Sequence, residues 1–180
     1  MGPARGSARH CAAHPGQRPL RARRQLSERR QGSGVGRQAP VSRGQALKPA
    51  SQVLLDSSAA LAVLDAADAN HARALRAATE LARLRCRVFQ TTLLRAETHA
   101  LLLSRLGAEA AGRWLSSPPP ATVRPDPGDD ARGEGIVLRY RDKDFSLCDA
   151  IAFAVMERLK TGTVFTFDRH FRQYGFETVP

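Results

Sequence analysis

Residues 53–58 read Val-Leu-Leu-Asp-Ser-Ser, and residues 163–168 read Thr-Val-Phe-Thr-Phe-Asp. Each is a short apolar run closed by an acid, Asp56 in the first and Asp168 in the second. Apolar runs this short, rich in β-branched and aromatic residues, are buried strands rather than helices. Working outward, Ala59–Ala67 and His71–Leu84 carry helical periodicity, and Arg87–Thr91 reads as a second strand. Thr92–Leu106 is a helix closed by Gly107, and Glu109–Leu115 a further one. Ser116–Pro120 is a break, and Ala121–Arg124 a short third strand. Asp129–Tyr140 reads as a weaker helix and Leu147–Leu159 as a strong one, before the fourth strand at Thr163–Phe167 and a last one at Phe176–Val179. Strands alternating with helices in this way specify an α/β fold with a mainly parallel sheet.

The chain has 180 residues, and its apolar content of 42% suffices for one core. Its net charge of +11 is unevenly placed. Residues 1–50 hold eleven bases against one acid, Glu28, whereas residues 51–180 hold 17 bases and 16 acids. The high isoelectric point therefore belongs to an N-terminal arm and not to the body. That arm, 1–50, has no Phe, Tyr or Trp and is rich in Gly, Pro, Ser, Gln and Arg. It cannot bury enough apolar surface to offset the entropy of ordering it, so disorder is expected, with the folded domain at 51–180. Three readings of the arm stay open: a nucleic-acid-binding tail, a transit peptide, or translated sequence upstream of a start near Val41, Leu47 or Val53. No apolar run approaches the roughly 20 residues that a membrane span needs, and no apolar stretch follows the arm's charges as in a secretory signal. Cys11, Cys86 and Cys148 are far apart and form no CxxC pair, which favours a reducing, cytoplasmic setting over a disulfide framework.

Four acids stand out. In an open α/β sheet, useful chemistry lies beyond the carboxyl ends of the strands, which is where Asp56 and Asp168 fall. Each is also well placed to cap a helix. Glu97 lies four residues from both Leu93 and Leu101 and so interrupts an apolar stripe, unless the helix is rotated and Glu97 sits at its boundary. Asp149 shares a face with Phe153 and Met156, and Ser146-x-x-Asp149 matches a capping box. Capping and metal ligation are compatible, since a carboxylate has two oxygens. Two such charges about 4 Å apart repel by roughly 4 kcal/mol at an effective dielectric near 20. Converging carboxylates therefore call for a cation, and oxygen-only ligands suit Mg²⁺ or Mn²⁺ rather than zinc. His71 and His99 are isolated on helices, Ser57 and Ser58 have no evident base, and no Gly-rich phosphate loop is present.

The segments LLDSSAALAVLD, TTLLRAETHALL, DKDFSLCDAIAFAVMERL and TFDRHF, with GFETVP after them, together resemble a PIN domain, in particular the VapC-type ribonuclease toxins of VapBC toxin–antitoxin modules. The resemblance runs from about Val53 to Val179 and is weakest between Ser116 and Gly135. It implies an α/β/α sandwich around a parallel sheet, cleavage of RNA with Mg²⁺ or Mn²⁺, a homodimer, and a small antitoxin whose tail lies across the acidic groove. The family's four acids fall on Asp56, Glu97, Asp149 and Asp168, as metal ligands and catalytic groups. Cys148 departs from the pattern, standing where a small residue or Thr is more usual, and so does the SPPP stretch.

Arg139, Arg141 and Lys143 precede the Asp149 helix, and Arg169 and Arg172 follow Asp168. Basic side chains beside an acidic centre can hold phosphates on either side of a cut, or form a solvated charged face. Phe145, Tyr140 and Phe171 are the few aromatics available for base stacking. The rival reading is a non-catalytic nucleic-acid-binding protein that works through its Arg-rich arm, with the acids merely capping helices.

Overall fold

The computed structural model describes residues 47–180, so the expected disordered arm lies, apart from its last four residues, outside the described residues. Five strands form one sheet: β1 (Gln52–Leu55), β2 (Arg87–Thr91), β3 (Ala121–Val123), β4 (Thr163–Phe165) and β5 (Glu177–Val179). Their order is β3-β2-β1-β4-β5, and every neighbouring pair is parallel. The chain moves outward from β1 through β2 to β3, then returns to the other side of β1 for β4 and β5. The strand order thus reverses between β1 and β4, and the crevice at such a point is where open parallel sheets bind ligands.

Helices cover both faces: α1 (Ser57–Leu64), α2 (His71–Arg83), α3 (Thr92–Ser116), α4 (Pro127–Arg139), α5 (Leu147–Arg158) and α6 (Arg169–Tyr174). Alternation along each strand divides the core. Leu54 and Val164 join Phe89, Leu94, Ile136, Phe153 and Met156 on one face, while Val53 and Phe165 meet the small side chains of α1 and α2, among them Ala59, Ala62, Ala74 and Ala77, on the other. Leu47 also packs on this second cluster, so the body's packing reaches back to that residue. Helix α5 is buried continuously from Asp149 to Met156, as a helix that is apolar all round must be. Gly133 lets α4 approach it, because a Cβ there would stand 2.9 Å from the Ile151 backbone nitrogen.

Three local differences from the sequence reading have physical causes. Helix α4 starts at Pro127, not Asp129, because Asp126 and Asp129 form a capping box around a proline in the first turn. Helix α3 runs on to Ser116 but is interrupted at Gly107, whose φ of 83° is left-handed backbone, so the two expected helices are present as one broken element. Helix α6 was not expected. It is six residues long and buries only Phe171, but Asp168 caps its start and Gly175 (φ 122°) ends it.

Candidate metal centre

Because β1 pairs with β4 in the register Leu55↔Phe165, the residues that follow the two strands emerge side by side. Asp56 caps α1, and its Oδ2 accepts from the Ser58 backbone N–H (3.2 Å), the Ser58 hydroxyl and the Thr166 hydroxyl (2.7 Å). Thr166 Oγ1 in turn accepts from the Asp168 backbone N–H at 2.8 Å, and Ser58 Oγ accepts from the Phe167 N–H at 3.0 Å. Asp168 caps α6 through the His170 N–H at 2.8 Å. The capping and converging roles of Asp56 and Asp168 therefore coexist. Asp149 holds the expected box, its N–H donating to Ser146 Oγ at 3.0 Å while its Oδ2 accepts the Ser146 N–H at 3.2 Å.

Asp56 is 2% exposed and Asp149 7%. Burial raises the Asp56 carboxyl to about 6, against the pull of the Ser58 and Thr166 hydrogen bonds, and the neighbouring Asp149 charge adds to the rise. Glu97 is half-buried, not on the apolar stripe that the sequence suggested. The buried face of α3 is Leu94, Thr98 and Leu102, and Leu93 is exposed, so the helix is rotated and Glu97 sits at the boundary. It is tied to the centre by Cys148, whose thiol donates to Glu97 Oε2 at 3.6 Å. Burial and the charges of Glu97, Asp149 and Asp56 push that thiol far above its usual range, so it stays a protonated donor.

The sequence reading missed His170. Its Nδ1 lies 3.4 Å from Asp149 Oδ2 and 3.3 Å from Asp168 Oδ1. Among the described residues, Asp149, Asp168 and His170 form the group whose ligand atoms lie close enough together, all within 4.8 Å, to hold one metal ion. Asp56 and Glu97 are outside that tight trio and reach it through Thr166 and Cys148. The available signal was the spacing of Asp168 and His170, two apart at the start of a helix that the sequence reading did not foresee. Among the described residues no Lys or Arg pairs with Asp56, Glu97, Asp149 or Asp168; the His170 imidazole is the nitrogen group that faces Asp149 and Asp168. Buried oxygen donors lacking a fixed counter-charge are a donor set that a hard divalent ion fits.

The basic residues divide. Arg169 and Arg172 line a cleft of about 250 Å³ with Thr166, Phe167 and Asp168. Arg73 of α2, not singled out in the sequence, lines it too, with its guanidinium 5.4 Å from the Phe167 ring. Arg139, Arg141 and Lys143 make no contact with the acids: Arg139 lies over Tyr140, Arg141 donates to the Leu138 carbonyl, and Lys143 pairs with Asp142. Phe145 and Phe171 are buried in the core, which removes them as stacking surfaces for bases.

The family model for the PIN domain matches residues 53–177. The chain belongs to the PIN domain family. Comparison with curated protein sequences gives no match. Among solved structures, this PIN domain is similar to VapC20 of Mycobacterium tuberculosis, described as a sarcin–ricin-loop-cleaving toxin. The two share 26% identity with a TM-score of 0.64 over 71% of this chain and 99% of that one. It also shares its fold with VapBC2 of Rickettsia felis, solved bound to a DNA fragment from its promoter, at 8% identity and a TM-score of 0.53 over 71% of this chain and 96% of that one. The five-stranded parallel sheet between helices is the α/β/α arrangement expected from the sequence.

Proposed function

We propose that this PIN domain is a divalent-metal-dependent endoribonuclease, the toxin of a toxin–antitoxin pair. The observation that carries the reading is that buried Asp56 and Asp149 and half-buried Asp168 and Glu97, which no Lys or Arg of the described residues pairs with, gather at the point where the sheet's strand order reverses. Similarity to a toxin that cleaves the sarcin–ricin loop supports RNA as the substrate class, and similarity to a VapBC structure supports a small antitoxin as partner. A homodimer, as the PIN-domain resemblance implies, and a cytoplasmic setting, as the scattered cysteines suggest, are part of the same proposal.

Asp56, Asp149 and Asp168 are the proposed ligands of Mg²⁺ or Mn²⁺, with Glu97 at the centre's half-buried edge as a further ligand or as the group that orients or deprotonates the attacking water. When bound, the ion supplies Lewis-acid polarisation of the scissile phosphoryl group. The protein's own part is positional. Ser58 and Thr166 fix the Asp56 carboxylate, Ser146 fixes Asp149, the α6 start fixes Asp168, and Cys148 holds Glu97. Arg73, Arg169 and Arg172 flank Asp168 where they can hold the phosphates beside the cut, and hydrolysis leaves 5′-phosphate and 3′-hydroxyl ends. Arg139, Arg141 and Lys143 act on more distant phosphates.

The test is cleavage of a mixed RNA pool by the full chain with Mg²⁺, Mn²⁺ or chelator. Wild type is expected to cut only with metal, and Asp56→Asn and Glu97→Gln to lose at least about 100-fold with the fold retained by circular dichroism. Undiminished cutting by folded Asp56→Asn sinks the mechanism. RNA binding that survives in both variants without cutting in the wild type leaves the Arg-rich arm as the active element.

A further inference from the structure

His170 has a geometry that neither capping nor packing explains. Its Nδ1 is 3.4 Å from Asp149 Oδ2 and 3.3 Å from Asp168 Oδ1. Both separations are long for an N–H···O bond, whose usual length is about 2.9–3.0 Å. They are close to the edge of an octahedron, since ligands at about 2.1 Å from one ion stand roughly 3 Å apart and a larger ion widens that edge. The ring is also held in place. Its backbone N–H is bound to Asp168 Oδ1, so acid and imidazole are fixed two residues apart on one helical turn. The buried Phe145 ring meets the imidazole edge-on at 5.5 Å and 76°, and the His170 side chain is 16% exposed. Three ligand atoms from two elements, α5 and the start of α6, thus lie within 4.8 Å of one another, close enough to share one ion.

We propose that His170 is a direct metal ligand through Nδ1, making this centre a mixed imidazole–carboxylate site that selects Mn²⁺ over Mg²⁺. The inference rests on the reading that the carboxylates hold a divalent ion, and it goes beyond an acids-only centre. Mg²⁺ takes oxygen ligands and keeps its waters, so an imidazole adds little to its binding. Transition ions accept imidazole nitrogen, and Mn²⁺ is the one that also suits carboxylate oxygen. If His170 served only to clamp the two carboxylates by hydrogen bonding, both ions would benefit alike.

The experiment titrates Mn²⁺ into the full chain and records pulsed EPR, which detects nitrogen-14 bound directly to the ion. The wild type is expected to show that coupling, and His170→Gln, which keeps a hydrogen-bond donor of similar reach, to lose it. Calorimetry should show Mn²⁺ affinity falling at least about 10-fold in His170→Gln and Mg²⁺ affinity changing by no more than about twofold. Absence of nitrogen coupling in the wild type, or equal weakening of both ions, overturns the proposal. Should His170→Gln fail to fold, the chain with its other four histidines replaced by Gln must retain the coupling, and loss there overturns the proposal equally. RNA cleavage is scored separately: nitrogen-coupled Mn²⁺ without cutting upholds this inference and removes the nuclease reading, whereas Mg²⁺-dependent cutting without nitrogen coupling does the reverse.

Discussion

Two buried aspartates in this molecule solve the same problem in opposite ways. Asp129, 3% exposed on α4, receives Arg158 of α5 in a forked contact at 2.9 Å and 2.7 Å, and the guanidinium holds its carboxyl below the usual range. Asp56, 2% exposed at the end of β1, has hydroxyl and backbone partners but no cation among the described residues, and its carboxyl is raised to about 6. Burial of an acid therefore does not by itself mark a functional centre. Asp129 is a brace between two helices, joined there by the Arg132–Glu157 pair and by Tyr174 donating to Glu157. Asp56 belongs to a set of carboxylates that receives no Lys or Arg from the described residues. The fold accepts that cost where a ligand relieves it.

The contrast is sharpest in activity. Asp56→Asn should abolish RNA cleavage by two orders of magnitude or more, whereas Asp129→Asn should leave the rate per folded molecule unchanged. Asparagine suits this test at Asp56, because the three bonds from Ser58 and Thr166 all end on Oδ2 and one amide oxygen can accept them. Equal loss in both variants, measured at matched folded fraction, would erase the distinction between brace and centre.

In stability the order reverses. Gly133→Ala, in the braced region, places a methyl against the Ile151 backbone at 2.9–3.0 Å, a clash that no side-chain rotation relieves, at about 1–3 kcal/mol in denaturant unfolding. Asp129→Asn should cost about 1–2 kcal/mol, discounted because Arg158 is partly exposed. Neither penalty should depend on divalent metal.

The smallest effect is a difference in pH slope. Asp129 has a lowered folded-state pKa, so its stabilisation is complete above the unfolded value near 4 and fades as pH falls through the still lower folded value. Asp56 has a raised one, so in chelator it favours the fold at low pH, and that contribution is lost as pH rises from about 4 to about 6. Asp56→Asn should flatten the upper slope and Asp129→Asn the lower one. A common flattening in both variants would mean that the two carboxyls share one environment.

Much of this was legible in the sequence because acids at strand ends and helix starts are local signals. VLL-Asp56, the Ser146–Asp149 box and the Asp168 position all stand where the reading placed them. For Glu97 the sequence leaves two readings open, an interrupted Leu93–Leu101 stripe or a rotated helix with Glu97 at its boundary, because Leu93 and Leu101 fit a helical period as well as Leu94, Thr98 and Leu102 do; packing alone selects the second. His170 was invisible because its meaning lies in α5 and α6 meeting, twenty-one residues apart in the chain. Thr166 was hidden for the same kind of reason, since its partner Asp56 is 110 residues away. Phe145 and Phe171 looked like bases' partners in one dimension and are core residues in three.

The central claim is that Asp56, Glu97, Asp149 and Asp168 form one centre whose mutual repulsion is relieved by a divalent ion. Thermal melting of the full chain, with chelator and with saturating Mn²⁺, tests it most directly and requires no knowledge of the RNA. Wild type and Asp129→Asn should each gain several degrees of melting temperature on adding metal, from their different baselines. Asp56→Asn should match or exceed wild type in chelator and gain little from metal. A wild-type melting temperature that metal leaves unmoved, or an Asp56→Asn gain equal to that of the wild type, would contradict the account.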